Sequence, residues 1–480
     1  MSHAVAAAAP VAATPLSPRT RLLLEGPVAR TLLVLAAPNV LVMVLQAAVS
    51  TLDAVFVGWL GSAALAGVSI VFPLVMLMQT MSAGGMGGGV ASAVARALGA
   101  GRRADADALV IHAIVIALAM GGAFTLTLEL AGPALFHAMG GRDEVLAAAV
   151  TYSRVLFGGA VAYWLFNTLS SAIRGSGNMA VPASVMVATG ILYLALSPAL
   201  ILGWGPLPRL GIAGAAAASV FSFGIGSVVL LAFLYSGRSL VRPALRGHGL
   251  RRRLFWEILR VGAPGSLNTV LTNLTVVVLT ALVGPFGATA LAGYGLGARL
   301  EYLQIPIVFG LGSGLVTMVG TSIGAGDRAR AVRVAWVGSA MAAGITGVIG
   351  ILAALFPLAW LGLFTTDPGV LAAGTRYLTI VGPFYGFFGL GLSLYFASQG
   401  AGRLLWPFLA NLTRLVIAAG GGWVALRSGG GLSHVFTALA AALVAFGLIN
   451  AAAVALGVWS SGAPEIAPYR GQDRPRGESR

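Results

Sequence analysis

Apolar stretches of twenty or more residues recur along the chain, separated by short segments that carry charge, glycine and proline. A membrane-spanning helix needs ~20 predominantly apolar residues, so these stretches are long enough to cross a bilayer. The pattern predicts twelve spans, with kinks expected at Pro38, Pro306 and Pro383. The predicted spans cover residues 31–57, 64–95, 108–131, 146–172, 180–204, 211–236, 257–284, 288–322, 330–357, 372–400, 405–426 and 432–459.

The composition excludes an ordinary soluble enzyme. Of the 480 residues, 58% are hydrophobic and 9% are charged, whereas a soluble domain carries about 25% charged residues. The 67 glycines lie largely within apolar runs, which favours close helix packing in lipid over disorder. No apolar core of a signal peptide precedes a cleavage site in residues 1–30, so the first span is expected to be retained as an anchor.

The distribution of arginine predicts the topology. The two tails and the even-numbered connections, with the adjoining span edges, hold 22 of the 29 basic residues. The odd-numbered connections hold only Arg142, Arg209 and Arg427. By the positive-inside rule, both termini are cytoplasmic and the chain is a multi-pass protein of a bacterial-type inner membrane. The basic excess is therefore a topology signal, and we expect no nucleic-acid partner.

The residue types that are missing exclude several chemistries. The chain has no cysteine, and every basic residue is arginine, so thiol catalysis, iron–sulfur clusters and a phosphate-loop lysine are excluded. No nucleophile–base constellation stands out. The histidines are scattered without metal-ligand spacing. We therefore expect a protein that is not an enzyme and needs no cofactor or metal; the histidines are His3, His112, His137, His248 and His434.

The two halves of the chain repeat each other. Ala37-Pro38 recurs as Ala263-Pro264, and Ala64-Leu65-Ala66-Gly67 recurs as Ala290-Leu291-Ala292-Gly293, both at the same offset. After a slip of a single position, Gly99-Ala100-Gly101 recurs as Gly324-Ala325-Gly326, and Gly175, Gly177 and Pro182 recur as Gly400, Gly402 and Pro407. The period equals six spans, so both copies enter the membrane in the same orientation. Such parallel repeats are related by a pseudo-two-fold axis along the membrane normal, with the substrate site between them.

We therefore predict an all-α integral membrane protein with twelve transmembrane helices in two six-helix lobes. The predicted segments are a cytoplasmic tail (1–30), an N-terminal lobe (31–236), an Arg-rich cytoplasmic linker (237–256), a C-terminal lobe (257–459) and a second cytoplasmic tail (460–480).

Two acidic residues, Asp53 and Glu301, fall inside predicted spans. A charged side chain at the bilayer centre costs ~2.5–3.5 kcal/mol, so it is kept where it faces a cavity or a partner. Asp53 continues a polar stripe on one helical face, which extends about 21 Å at 1.5 Å per residue. The stripe consists of Asn39, Gln46, Ser50 and Asp53, and a second stripe on the eighth span consists of Tyr294, Glu301 and Gln304.

Polar residues on other spans extend this pattern to both halves. Asn268, Thr272 and Thr275 share one side of the seventh span, and Asn411 lies one turn from Arg414 in the eleventh. Together the stripes predict a water-filled cavity between the lobes. The substrate-cavity candidates are Asn39, Gln46, Ser50, Asn268, Thr272, Tyr294, Gln304, Asn411 and Arg414.

Each of these candidates also has a purely structural interpretation. Asp53 can be a carboxylate that is hydrogen-bonded to a neighbouring helix and never titrates. Glu301 can be neutralised by Arg299 or Arg414, and the sequence leaves open whether Arg414 makes that pair or faces the cavity. The Asn and Thr side chains can equally hold helices together.

An ordered set of motifs resembles the multidrug and toxic compound extrusion (MATE) family over residues 25–460. In the first half these are Ala36-Ala37-Pro38, Asp53 followed by Gly58, Ala64-Leu65-Ala66-Gly67, Arg96-Ala97-Leu98-Gly99-Ala100-Gly101 and Arg174-Gly175-Ser176-Gly177. The matching second-half marks are Arg299-Leu300-Glu301 and Gly324-Ala325-Gly326.

The resemblance implies an antiporter that exports organic cations or other amphipathic compounds in exchange for protons or sodium, with Asp53 and Glu301 as coupling residues. Many relatives carry an Asn and an Asp four residues apart in the fifth span, where this chain has Tyr193 and Ser197. Since sodium prefers oxygen ligands, this difference favours protons. The expected partners are an amphipathic small molecule, protons and the lipid bilayer, and the chain is expected to be a monomer.

Other functions are open at this stage. A membrane-embedded enzyme would need a catalytic cluster near one interface, and the sequence offers none. A flippase for lipid-linked or polyanionic substrates would have a cationic cavity, which Arg414 or Arg154 could provide. A permease subunit driven by a separate ATPase is disfavoured by the fused, two-lobe design.

Overall fold

The structure is a computed structural model that describes residues 17–244 and 249–459. The described part of the first half forms helices α1 (Pro18–Glu25), α2 (Val28–Gly58), α3 (Ser62–Thr80), α4 (Gly87–Gly99), α5 (Arg103–Ala138), α6 (Asp143–Gly158), α7 (Ala160–Gly175), α8 (Ala180–Leu202) and α9 (Ile212–Tyr235). The second half forms α10 (Arg252–Val283), α11 (Ala288–Gly324), α12 (Arg328–Leu355), α13 (Pro357–Leu361), α14 (Pro368–Val381), α15 (Tyr385–Ala401), α16 (Leu405–Arg427) and α17 (Leu432–Ala455).

The helices have the length and composition of membrane spans. Within the described ranges, 10 helices are long and apolar enough to cross a bilayer, counting helices that continue through a short π or 3₁₀ segment as one. Helices α6 and α7 meet at a bend of 46° and are long and apolar enough to cross a bilayer when taken together. Helix α2 has 31 residues. Its segment Val28–Asn39 is apolar but shorter than a bilayer span, so α2 is not among the 10. The all-helical, multi-pass fold is confirmed, whereas the total of twelve spans stays a prediction.

Part of the predicted N-terminal tail forms a helix, α1. Ser17 caps α1 by accepting a hydrogen bond from the Thr20 N–H, and Pro18 occupies the first turn, where its missing N–H costs nothing. The Arg330 guanidinium on α12 donates to the carbonyl oxygens of Leu23 and Gly26. Helix α1 is therefore attached to the second half of the chain.

The Arg-rich linker is bound to α5. The carboxylate of Asp107 accepts from the backbone N–H of Arg242 at 2.8 Å, and His112 Nε2 accepts from the N–H of Arg251 at 2.8 Å. The Arg253 guanidinium lies 2.7 Å from Asp105. Helix α10 then begins at Arg252, ahead of the predicted span, because the linker's end is already held against α5.

The two halves contact each other reciprocally across an axis. A Cβ on Gly99 would lie 2.1 Å from the Thr321 carbonyl oxygen, and a Cβ on Gly324, its counterpart in the repeat, would lie 2.2 Å from the carbonyl oxygen of Arg96. Within the halves, the contact of Gly175 with Ala91 in the first is repeated by that of Gly400 with Val316 in the second. The Gly99 and Gly324 contacts are the same contact with the halves exchanged, which is the geometry of two-fold symmetry.

The glycine run of the second predicted span forms part of this interface. Residues Met81–Met86 form a π segment between α3 and α4. A Cβ on Gly85 would lie 2.6 Å from the Ser266 backbone, and a Cβ on Gly89 would lie 2.7 Å from Gly262, so α10 approaches to backbone contact. The run thus serves close helix packing between the halves.

The close interlobe contacts lie toward one end of the molecule, at the connections that follow Gly99 and Gly324. Toward the other end, glycines near the corresponding connections have open space around them. A Cβ added at any of them would meet nothing within 4 Å, as found at Gly58, Gly61, Gly284 and Gly287. The halves are therefore sealed against each other at the Gly99/Gly324 end.

Candidate functional site

Asp53 lies within the first half, on the face of α2 that packs against α8. Its side chain is half-buried, and the Tyr193 hydroxyl donates a hydrogen bond to Oδ1. Tyr193 stands at one of the two positions where the sequence departs from the resembled family. A hydroxyl bound to an ionised carboxylate makes a charge-assisted hydrogen bond, which is stronger than a bond between neutral groups.

Glu301 is the centre of a charged cluster within the second half. Its Oε1 lies 3.1 Å from Nη2 of Arg414, and its Oε2 accepts from the Tyr377 hydroxyl at 3.2 Å. The side chains of Glu301 and Arg414 are 13% and 6% exposed, so little solvent screens the pair. Of the two arginines proposed as its partner, Arg414 makes the contact.

Aromatic rings surround this ion pair. The Arg414 guanidinium carbon lies 5.5 Å from the ring centre of Phe388 and 5.6 Å from that of Phe446. Tyr294, on the same helix as Glu301, packs its ring edge-on to Tyr377 with centroids 5.6 Å apart. Arg414 and Tyr294, both predicted to line the cavity, thus lie in the interior of the second half.

Asn268, Thr272 and Asn411 form one cluster between α10 and α16. The Asn411 side-chain amide donates to the Asn268 carbonyl oxygen at 3.0 Å and to the Thr272 hydroxyl at 3.1 Å. Asn268 and Asn411 are buried. The cluster joins two helices of the same half, and this arrangement matches the structural alternative for these residues.

The remaining candidates are dispersed. The Asn39 amide donates to the Ser313 hydroxyl of the other half at 2.7 Å. Gln46 is half-buried. Gln304 is 1% exposed and donates to the Leu300 carbonyl at 3.2 Å. The side chain of Ser50 lies outside the described part of the structure.

A small cavity of about 20 Å³ lies between the halves and is lined by residues of both. Its polar lining consists of Ser171, Arg174, Ser313 and Gln399, and Phe309 and Phe396 add aromatic surface. None of the predicted site residues lines it directly, and Asn39 reaches it through the bond to Ser313. A substrate bound between the halves would meet these side chains.

Sequence reasoning missed Arg174 and Gln399 as lining residues. Arg174 opens the Arg-Gly-Ser-Gly motif, which was assigned only to the family resemblance. Gln399 stands at the position of the second half that corresponds to Arg174 in the repeat, and it immediately precedes Gly400. Both residues directly precede a glycine of the repeat, Gly175 or Gly400, and this shared position could have identified them from the sequence.

No metal centre is found in the ranges that the structure describes. They contain no group of three or more His, Asp or Glu side chains placed to hold a metal ion. The candidate site is therefore described by its carboxylates, its central arginine and its aromatic walls.

Comparison with known proteins identifies the family. The MatE family model matches residues 38–199 and 264–424, one copy in each half. A protein named FAD transporter from Shewanella oneidensis is 29% identical over 82% of this chain and 87% of its own length. A protein named probable multidrug resistance protein NorM from Deinococcus radiodurans is 30% identical over 80% of this chain and 85% of its own length.

Solved structures show the same fold. A crystal structure of a MATE protein in a bent conformation superimposes with a TM-score of 0.85 at 24% identity, covering 93% of this chain and 98% of that one. A MOP superfamily transporter from Pyrococcus furiosus gives a TM-score of 0.84 at 24% identity, covering 93% and 99%. With the matched family model in both halves, these findings show that the chain belongs to the MATE family of multidrug efflux transporters.

Proposed function

We propose that this protein is a secondary active antiporter that exports amphipathic compounds in exchange for protons by alternating access. The relatives support export of small molecules: their names include a FAD transporter and multidrug resistance proteins. We propose residues 31–236 and 257–459 as the two lobes, joined by the linker 237–256, in a monomer of the inner membrane with cytoplasmic termini.

The arrangement of the halves supports alternating access. By the predicted topology, the sealed Gly99/Gly324 end faces the cytoplasm. Transport then requires the close contacts at this end to separate and form again. A cavity between the halves lies where such a motion would expose it to each side in turn.

The single observation that carries the proton proposal is the bond between Tyr193 and Asp53. This bond joins α2 to α8, and its strength depends on the charge of the carboxylate. When Asp53 takes a proton, the bond becomes one between neutral groups, and the attachment of α2 to α8 weakens. Proton binding therefore favours a different packing of α2, as coupling by differential affinity requires.

Glu301 is proposed as a secondary coupling residue. The Arg414 guanidinium and the Tyr377 hydroxyl both bind its carboxylate. Proton exchange at Glu301 requires this cluster to open, whereas Asp53 bonds to a neutral hydroxyl. Asp53 is therefore the principal proton carrier in this proposal.

The flippase alternative loses the two arginines on which it was based. Arg414 pairs with Glu301, and Arg154 is 61% exposed and lies 3.8 Å from Glu129. Neither of these two arginines lines the central cavity.

The test is the replacement Asp53→Asn in proteoliposomes with an imposed pH gradient. Two rhodamine dyes serve as cargo, the cationic tetramethylrhodamine ethyl ester and the anionic sulforhodamine B. The expected result is export of at least one dye by the natural protein and a fall to background in the variant, because asparagine cannot exchange the proton. The control is Asp367→Asn, since Asp367 is exposed and caps α14, a role that asparagine also performs.

Normal pH-driven export by the Asp53→Asn protein would contradict the proposed role. An unchanged thermal unfolding midpoint in detergent would show that lost export is not lost folding.

A further inference from the structure

Arg174 and Gln399 occupy equivalent positions on the two sides of the axis. The Thr317 hydroxyl donates to the Arg174 carbonyl at 3.0 Å, and Ser92, the counterpart of Thr317 in the first half, donates to the Gln399 carbonyl at 2.5 Å. These reciprocal bonds fix the backbones of Arg174 and Gln399, and we call the part of the cavity lining formed by these two residues the cavity floor. Their side chains differ, so the floor carries a guanidinium on one side and an amide on the other.

The Arg174 guanidinium is a charge without a counter-ion. Its hydrogen bond runs from Nη2 to the Ser171 hydroxyl at 3.0 Å. Among the described residues, no carboxylate lies within salt-bridge distance of Arg174, whereas the intramembrane arginine of the other half, Arg414, is paired. A guanidinium presents five N–H donors, so Arg174 retains donors for a ligand. Arg174 lies in the last turn of α7 and lines the cavity between the halves.

Gln399 adds an independent indication of a ligand. The side chain is fully buried, and its Nε2 donates to the Gly84 carbonyl at 2.9 Å. Its Oε1 has no hydrogen-bond partner in the described structure, although the residue lines the cavity. Because buried polar atoms nearly always make a hydrogen bond, this oxygen is available to accept one from a ligand.

Aromatic rings and small residues form the rest of the cavity lining. Phe309 and Phe396 pack edge to face with ring centroids 5.5 Å apart, and glycines and alanines of the π segment and α4 also line the cavity. The cavity has a volume of about 20 Å³ in this conformation, room for about one water molecule, so a larger ligand requires the halves to move apart.

We propose that the cavity floor binds an anionic group of the cargo, a carboxylate, phosphate or sulfonate, through Arg174. The Gln399 oxygen accepts from a hydroxyl or amine on the same molecule, and the Phe309 and Phe396 rings contact its apolar part. This inference rests on the proposed export function and defines its substrate class: an amphipathic acid or zwitterion is preferred over a simple organic cation.

The experiment measures binding by fluorescence polarisation at fixed pH, with the purified full chain in detergent. Sulforhodamine B and tetramethylrhodamine ethyl ester share a xanthene core and differ in charge. The natural protein is expected to bind sulforhodamine B more tightly. Arg174→Gln is expected to weaken that binding by tenfold or more, since hydrogen bonds to charged groups contribute about 1.5–3 kcal/mol, and to leave the cationic dye unaffected.

Two variants make the result specific. Arg154→Gln removes the same charge from an exposed position and is expected to change neither affinity. Arg174→Lys keeps the charge without the planar fork and is expected to restore part of the binding of the anionic dye.

Equal affinity of the natural protein for both dyes, or unchanged sulforhodamine binding by a folded Arg174→Gln protein, would overturn the proposal. If Arg174→Gln does not fold, the relative affinity of the natural protein for the two dyes tests the proposal by itself. Export of the cationic dye alone, driven by the pH gradient and dependent on Asp53, would overturn the anion site while leaving the antiporter intact. Loss of pH-driven export with the anion preference retained would refute only the antiporter.

Discussion

At the scale of single residues, the polar side chains inside the membrane fall into two energetic classes. Glu301 and Arg414 neutralise each other in a nearly dry environment, and breaking a buried pair leaves an unpaired charge. Glu129 and Arg154 form a pair in which both side chains are substantially exposed, and such surface pairs contribute little. The two pairs provide a direct comparison within one protein.

Arg414→Met is expected to destabilise the protein by about 3 kcal/mol, because the Glu301 carboxylate loses its counter-ion while it remains buried. Arg154→Met is expected to cost less than about 1 kcal/mol. Chemical unfolding in detergent measures both effects. Adding Glu301→Gln to Arg414→Met should recover much of the loss, and similar stabilities of the two single variants would contradict the assignment of Arg414 to a structural pair.

The sequence alone identifies Asp53 and Glu301, because an acidic residue inside an apolar run is rare enough to stand out. It does not identify their partners. Tyr193 follows Asp53 by 140 positions and Arg414 follows Glu301 by 113, so only the packing of helices brings them together. The Asn268 and Asn411 side chains show a second limit of the sequence. A polar stripe predicts that its residues share a helix face, but it does not predict whether water or another helix covers that face.

At the scale of helices, glycine determines how closely the halves approach. Helix α11 contains both kinds of position. A Cβ on Gly324 would lie 2.2 Å from the Arg96 carbonyl oxygen, whereas a Cβ on Gly295 would meet nothing within 4 Å. An added methyl group is therefore tolerated at Gly295, whereas at Gly324 it obstructs the interface between the halves.

Gly324→Ala is expected to destabilise the sealed conformation by about 1–3 kcal/mol, the usual cost of overpacking. Gly295→Ala is the matched control and is expected to be neutral or slightly stabilising, since glycine is a poor helix former. The thermal unfolding midpoint measures the difference. A lower midpoint for Gly295→Ala than for Gly324→Ala would contradict the close interlobe packing.

Most helices could be predicted from hydropathy because a bilayer imposes a minimum apolar length. Of the three prolines expected to cause kinks, Pro383 lies in the 3₁₀ segment Gly382–Phe384 between α14 and α15, while Pro38 and Pro306 lie inside continuous helices. Helix α1 was not predicted. It is short, and its ordering depends on tertiary bonds from Arg330, which hydropathy does not report.

At the scale of the whole molecule, the direction of cargo movement is set by the coupling ion. Each charge moving through 100 mV supplies ~2.3 kcal/mol, so proton entry can drive substantial accumulation of cargo outside the cell. Replacing sodium by choline at a fixed pH gradient is expected to leave the initial rate of dye export unchanged, and a proton ionophore is expected to abolish it. A strict sodium requirement in the same proteoliposomes would refute proton coupling.

The two-fold relation of the halves could be predicted from the nearly constant offset at which the motifs of the first half recur in the second. The location of the cavity floor could not, because Arg174 lies close to a predicted connection, where an arginine ordinarily serves as a topology anchor.

The reciprocal bonds made by Ser92 and Thr317 have a consequence for the origin of the chain. They are the contacts that two identical six-helix subunits would make in an isologous dimer, where every interaction occurs twice. In such a dimer, a substitution at the axis would necessarily appear on both sides. Fusion of the subunits into one polypeptide removes that constraint, so position 174 can carry a guanidinium while position 399 carries an amide, and a symmetric scaffold can hold an asymmetric ligand.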